Sequence, residues 1–136
     1  MKTLKQLLID DCPYLAVYKF LKKRGVVEAN LLSFLIDANS YASCRLVEDT
    51  TYFQCSDSFI QSQLELSSPT IKKYIDKFVN EGLIYKRMQK INSAEYRFVK
   101  VNEQKLIQLY NEYKKELVDK EDEITLTYMQ RKDTIF

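Results

Sequence analysis

An α+β fold, mainly helical with one small β-hairpin, is what the sequence predicts. Three observations predict it: a strongly apolar helical run near residues 28–41, a capped amphipathic run at 67–82, and two alternating segments following at 84–99. At 136 residues the chain is long enough for one domain whose core needs neither disulfide nor metal.

Taken in order, residues 2–10 (KTLKQLLID) read as a short helix interrupted by Asp10, Asp11 and Pro13. Pro13 suits the first turn of a second helix, capped by Asp11 or Cys12 and stopped at Gly25, with Leu15, Tyr18 and Leu21 at helical spacing. Its basic last turn, Lys22-Lys23-Arg24, complements the negative helix end. From Glu28 to Tyr41, Leu31, Leu32, Leu35 and Ile36 form the broadest apolar face in the chain, so this helix is expected at the centre of the core. Residues 42–50 are polar and acidic and read as a loop, and TTYFQ (50–54) reads as one short strand.

Ser56 then caps a short helix that buries Phe59, Ile60 and Leu64. In SSPTIKKYIDKFVNEGLI (67–84), Ser68 is the expected cap, Pro69 the first helical residue and Gly82 the end. Ile71, Tyr74, Ile75, Phe78 and Val79 recur every three or four residues, which leaves Thr70, Lys72, Lys73, Asp76, Lys77 and Asn80 on the other face. Two strands joined by QKINSA (89–94) follow, and then a helical tail whose stripe is Leu106, Tyr110, Tyr113, Leu117 and Ile124, broken by Lys120. Residues 1–101 are expected to form the main domain and 102–136 the tail.

Composition narrows the function. The chain has no His and only two Gly, so the usual neutral-pH proton shuttle and any Gly-rich phosphate loop are missing. Acidic groups such as Asp10/Asp11 and Glu121/Asp122/Glu123 fall in helix ends or a charged tail, where solvation explains them, and no nucleophile stands beside a base. An enzyme is therefore not expected, nor a cofactor or metal. Cys12, Cys44 and Cys55 lack metal-ligand spacing and read as small buried or half-buried thiols, reduced in a cytoplasmic protein. No apolar run is long enough to span a membrane. Net charge is only +2, yet residues 68–90 carry six basic against two acidic side chains, a local +4. Nucleic acid is the commonest reason for such a patch.

Helix, strand, short helix, tight turn, capped helix and hairpin, in that order, describe a winged helix-turn-helix with extra N- and C-terminal helices. Its second short helix is the one that enters a DNA major groove. The expected contacts to duplex DNA are Ser67, Ser68 and Thr70 at the helix start, Lys72, Lys73, Lys77 and Asn80 on its outer face, and Lys86, Arg87, Lys90 and Arg97 on the hairpin. If four to six of the cations neutralise phosphates, log affinity falls against log salt with a slope of roughly −4 to −5. Tyr74 and Tyr85 read as core-edge residues rather than base-stacking platforms.

The spacing from Ser67-Ser68-Pro69-Thr70-Ile71 to Phe78-Val79-Asn80-Glu81-Gly82-Leu83-Ile84, with Tyr52-Phe53-Gln54-Cys55-Ser56 upstream, resembles winged-helix domains of Gram-positive phage and plasmid replication proteins. Among these it is similar to replisome organisers and the DnaD-like N-terminal domain. The resemblance covers residues 20–100 and implies a DNA-binding regulator or accessory factor in transcription or replication of a mobile element. MarR-like regulators share the Ser-x-x-Thr…Gly-Leu-Ile pattern, so it speaks to fold more than to process. A second reading keeps the scaffold but docks a protein partner of a replication or transcription complex instead of DNA. The tail stripe is expected either to pack on the N-terminal helices or to pair with a second copy; a homodimer would favour palindromic sites.

Overall fold

The computed structural model describes residues 17–135, with side chains through Glu121. The predicted helix at 2–10, its break at Asp10, Asp11 and Pro13, and the side chain of Ile124 lie outside the described residues. A boundary between two compact units falls between Asn102 and Glu103. The first unit is mixed α and β: a 3-10 helix Lys19–Arg24, α1 (Val26–Tyr41), β1 (Phe53–Gln54), α2 (Asp57–Gln61), α3 (Ser68–Asn80), β2 (Ile84–Ile91) and β3 (Ala94–Val101). The second is a single helix, α4 (Glu103–Ile135), of 33 residues. At the usual rise it is about 50 Å long.

Where an α-helix was expected to run up to Gly25, the described part is 3-10. That tighter winding stacks residues three apart on one side. Leu21 goes into the core, while Lys22 and Lys23 stay exposed. Gly25 sits at φ +100, a conformation L side chains rarely adopt, so it both stops this turn and opens α1.

α1 begins two residues earlier than expected and is buried on nearly all sides: Ala29, Leu31, Leu32, Phe34, Leu35 and Ala38 are core. A helix apolar around most of its girth belongs in the middle of the packing. Its buried Ser33 hydroxyl accepts the Tyr18 N–H. The segment after it is more than a loop. Arg45 bridges Phe53 in antiparallel fashion, and its guanidinium donates to the carbonyls of Asn39, Ala42 and Thr50. Carbonyls in the last turn of a helix lack internal partners, and an arginine fork supplies donors to them. The predicted strand at 50–54 shortens to Phe53–Gln54, with Phe53 fully buried.

Ser56 caps α2 as expected, its hydroxyl accepting from Phe59 N–H. The cap of α3 is Ser67, not Ser68: the Ser67 hydroxyl accepts from Thr70 N–H, three residues on. The N-cap to N3 spacing sets this choice, and Pro69 is tolerated because first-turn N–H groups have no helical partner anyway. At the other end Gly82, at φ +75, closes a Schellman motif in which Leu83 N–H bonds Phe78 C=O and Gly82 N–H bonds Val79 C=O. Both Phe78 and Leu83 are buried, which supplies the apolar contact that accompanies the motif.

β2 and β3 are longer than predicted, and QKINSA reduces to a two-residue turn. Asn92 and Ser93 both have positive φ (52 and 70), as a type I′ turn requires. The sheet order is β1-β3-β2, antiparallel throughout, with Phe53 opposite Val99 and Gln54 opposite Phe98. Among the described residues, no helix is long and apolar enough to cross a membrane.

Candidate functional site

At roughly 100° per residue, α3 presents a core face, an opposite ridge and two flanks. Ile71, Ile75 and Phe78 point into the core. Directly opposite lies an exposed ridge of Pro69, Lys73 and Asn80. Each flank of that ridge is tied to a neighbouring element by an ion pair. Lys77 Nζ lies 2.8 Å from Glu28 of α1, and Asp76 lies 2.9 Å from Lys86 Nζ of β2. Arg24 adds to the α1 side, donating to Glu28 and to Glu81 while its guanidinium stands over the Phe78 ring. α3 is thus clamped along both edges with its outermost line of side chains left in solvent.

Those pairs redistribute the predicted contacts. Ser67 and Thr70 spend their hydroxyls on each other, 2.8 Å apart, and on the cap. Ser68 hydrogen-bonds Asp57. Lys72 and Lys73 are exposed; Lys73 leans over the Tyr74 ring, and Lys72 bears electrostatically on Asp76. Lys77 is committed to Glu28 and is no free cation of the outer face.

On the hairpin, strand alternation separates what the sequence placed together. Successive side chains point to opposite faces. Lys86 and Lys90 share the face that carries Ile84 and meets α3. Arg87 turns to the other face, where it pairs with Glu48 of the 42–50 segment. The expectation of one cationic ribbon beside α3 is therefore corrected for Arg87. On that other face Lys100 stands between the Tyr85 and Tyr52 rings, 5.4 and 5.6 Å from their centroids. Tyr85 is 44% exposed, so its ring lies on this outer sheet face rather than inside the core.

Arg97 departs furthest from its expected role. Its side chain is 15% exposed; Nε donates to Cys55 C=O at 2.8 Å and Nη2 to Asp57 at 2.7 Å. It ties β3 to the start of α2. Burial alone would raise the Asp57 carboxyl, but the hydrogen bonds from Arg97 and Ser68 and the Arg97 charge bring it below the ordinary carboxylate value. The Asp76 carboxyl is lowered too, chiefly by its hydrogen bond from Lys86.

Lys72, Asp76 and Lys86 line a cleft of about 450 Å³ between α3 and the hairpin, together with Arg97 and Asp57 and with Ile75 and Met88 among its apolar walls. Of the seven lysines and arginines expected at the site, four (Lys77, Lys86, Arg87 and Arg97) are held by carboxylates. Among the described residues, Lys72, Lys73 and Lys90 have no hydrogen bond or ion pair. The acidic partners Glu28, Glu48, Asp57 and Asp76 were not picked out from sequence as elements of the site. Only Lys77 and Asp76, adjacent on opposite flanks of one amphipathic run, hinted that α3 would be tied on both sides. No group of three or more metal-ligating His, Cys, Asp or Glu occurs among the described residues. Compared with known proteins, the chain matches no family model, no curated protein and no solved structure.

Proposed function

We propose that this chain is a winged-helix protein that binds double-stranded DNA through the outer ridge of α3. The observation that carries this reading is the clamping of α3 itself: a capped helix held on both flanks, with Lys73 and Asn80 presented to solvent and Lys72 beside them. A rigid helix with a donor-bearing ridge is what major-groove entry demands. The succession of α1, β1, α2, α3 and a β2–β3 hairpin, with β1 paired to β3, supports the winged-helix assignment. A regulatory or accessory role in transcription or replication of a phage or plasmid rests on the sequence resemblance alone, and cytoplasmic location rests on cysteine usage.

Salt dependence of binding to random duplex DNA tests the reading. With Lys72, Lys73 and Lys90 as the phosphate contacts, the slope of log affinity on log salt is about −2.7, shallower than a count of all cations suggests. Lys72→Ala/Lys73→Ala lowers it to about −0.9. An unchanged slope removes both lysines from the interface. A wild-type protein that binds no duplex leaves the second reading, a protein-docking module, which the carboxylate pairing of four cations favours.

The protein is further proposed to act as a homodimer through α4, on which Ile107, Tyr110, Leu117 and Val118 are exposed. Truncation after Asn102 then halves the sedimenting mass per particle beyond the loss of the helix. A mass that changes only by the residues removed places the contact elsewhere.

A further inference from the structure

Asp76 is the one acidic side chain on the solvent-facing side of α3 between its cap and Asn80. Its partner Lys86 projects from β2 at the edge of the cleft, and the pair lies at the surface, with 43% and 29% of the two side chains exposed. Lys72, one helical turn earlier, faces the same carboxylate. A phosphate approaching Lys86 from the groove side would meet the Asp76 charge at the same place. A lysine already neutralised inside the protein adds nothing to counterion release until its pair breaks, and the freed carboxylate then opposes the phosphate.

We propose that Asp76 restrains non-specific DNA binding by withholding Lys86 from the phosphate backbone. The inference rests on the DNA-binding reading above and names a regulation of that surface. In the free protein the pair joins α3 to the hairpin. Lys86 turns to a phosphate only where contacts from the α3 ridge to base edges offset the loss of the pair. Arg87 does not share this device, because its carboxylate partner Glu48 stands on the opposite sheet face.

The test measures binding to random-sequence duplex between about 50 and 200 mM salt, the range over which phosphate contacts show most clearly. Asp76→Asn removes the charge and keeps the shape. Its slope is expected to steepen by about 0.9, so across that fourfold salt range it gains about 3.5-fold more affinity than wild type does. Lys86→Ala in the Asp76→Asn background returns the slope to the wild-type value. The proposal is overturned if Asp76→Asn does not steepen the slope, or if Lys86→Ala in that background leaves the steeper slope in place. Asp76→Ser, which also removes the charge, gives the same two readings if Asp76→Asn does not fold. A wild type without duplex affinity fails the DNA-binding reading itself. A wild type that binds while these variants behave otherwise than stated fails only the role given to Asp76.

Discussion

Replacing Arg97 with alanine separates a structural clamp from a DNA contact. The substitution removes a charge-assisted hydrogen bond to Asp57 and a second bond to the Cys55 carbonyl. Hydrogen bonds to charged groups contribute about 1.5–3 kcal/mol, and a lost partner at a half-buried site adds desolvation. Asp57 is 35% exposed, so solvent screening discounts its share. The expected loss is about 2 kcal/mol at neutral pH, read as a lower urea midpoint at unchanged m-value. The pH dependence has a definite sign. The folded Asp57 carboxyl lies below its unfolded value of about 3.9. Its contribution is therefore complete above that value and is lost as pH falls through the folded one. The gap between wild type and Arg97→Ala should be full at pH 7 and narrow below about pH 4, leaving the smaller part due to the Cys55 carbonyl. Duplex binding measured well below the melting transition should keep the wild-type salt slope. A stability loss under about 0.5 kcal/mol, a gap that does not change with pH, or a slope shallower by about 0.9 would each refute the clamp.

Two further expectations concern the cap and the thiols. Ser67→Ala removes the acceptor for Thr70 N–H and should cost about 1 kcal/mol in urea unfolding. Ser68→Ala leaves the cap in place and removes its hydrogen bond to Asp57 instead, so the result that would put the cap elsewhere is a Ser67→Ala variant as stable as wild type. Burial pushes the Cys55 thiol up to about 12, against an opposing effect of Arg97. Cys44, expected to be at least half-buried, is instead exposed, with its thiol donating to Gln54 Oε1. Peptide mapping after brief alkylation at pH 8 should therefore find Cys44 modified and Cys55 not, and comparable labelling of both would mean that the sheet edge around Cys55 opens.

Much of the local structure was legible from neighbouring residues. Apolar spacing identified α1 and the buried face of α3, Ser56 marked the start of α2, and Gly82 the end of α3, because each depends on interactions only a few positions apart. Ser68 was read as the cap of α3, and the reach of the Ser67 hydroxyl to Thr70 N–H, three residues on, puts the cap one residue earlier. The hairpin showed in its alternation, but its turn was overestimated because Asn92 and Ser93 adopt positive φ without a glycine to announce it.

By itself, then, the sequence determined where α1, α2, α3 and the hairpin fall and that one region is rich in lysine and arginine. Only the tertiary structure decided which of those cations are available. Arg97 meets Asp57 across 40 positions of sequence and Arg87 meets Glu48 across 39, pairings that no local pattern encodes. The reason is physical: periodicity records which way a side chain leaves its own element, whereas the state of a charge depends on what another element brings within about 4 Å of it.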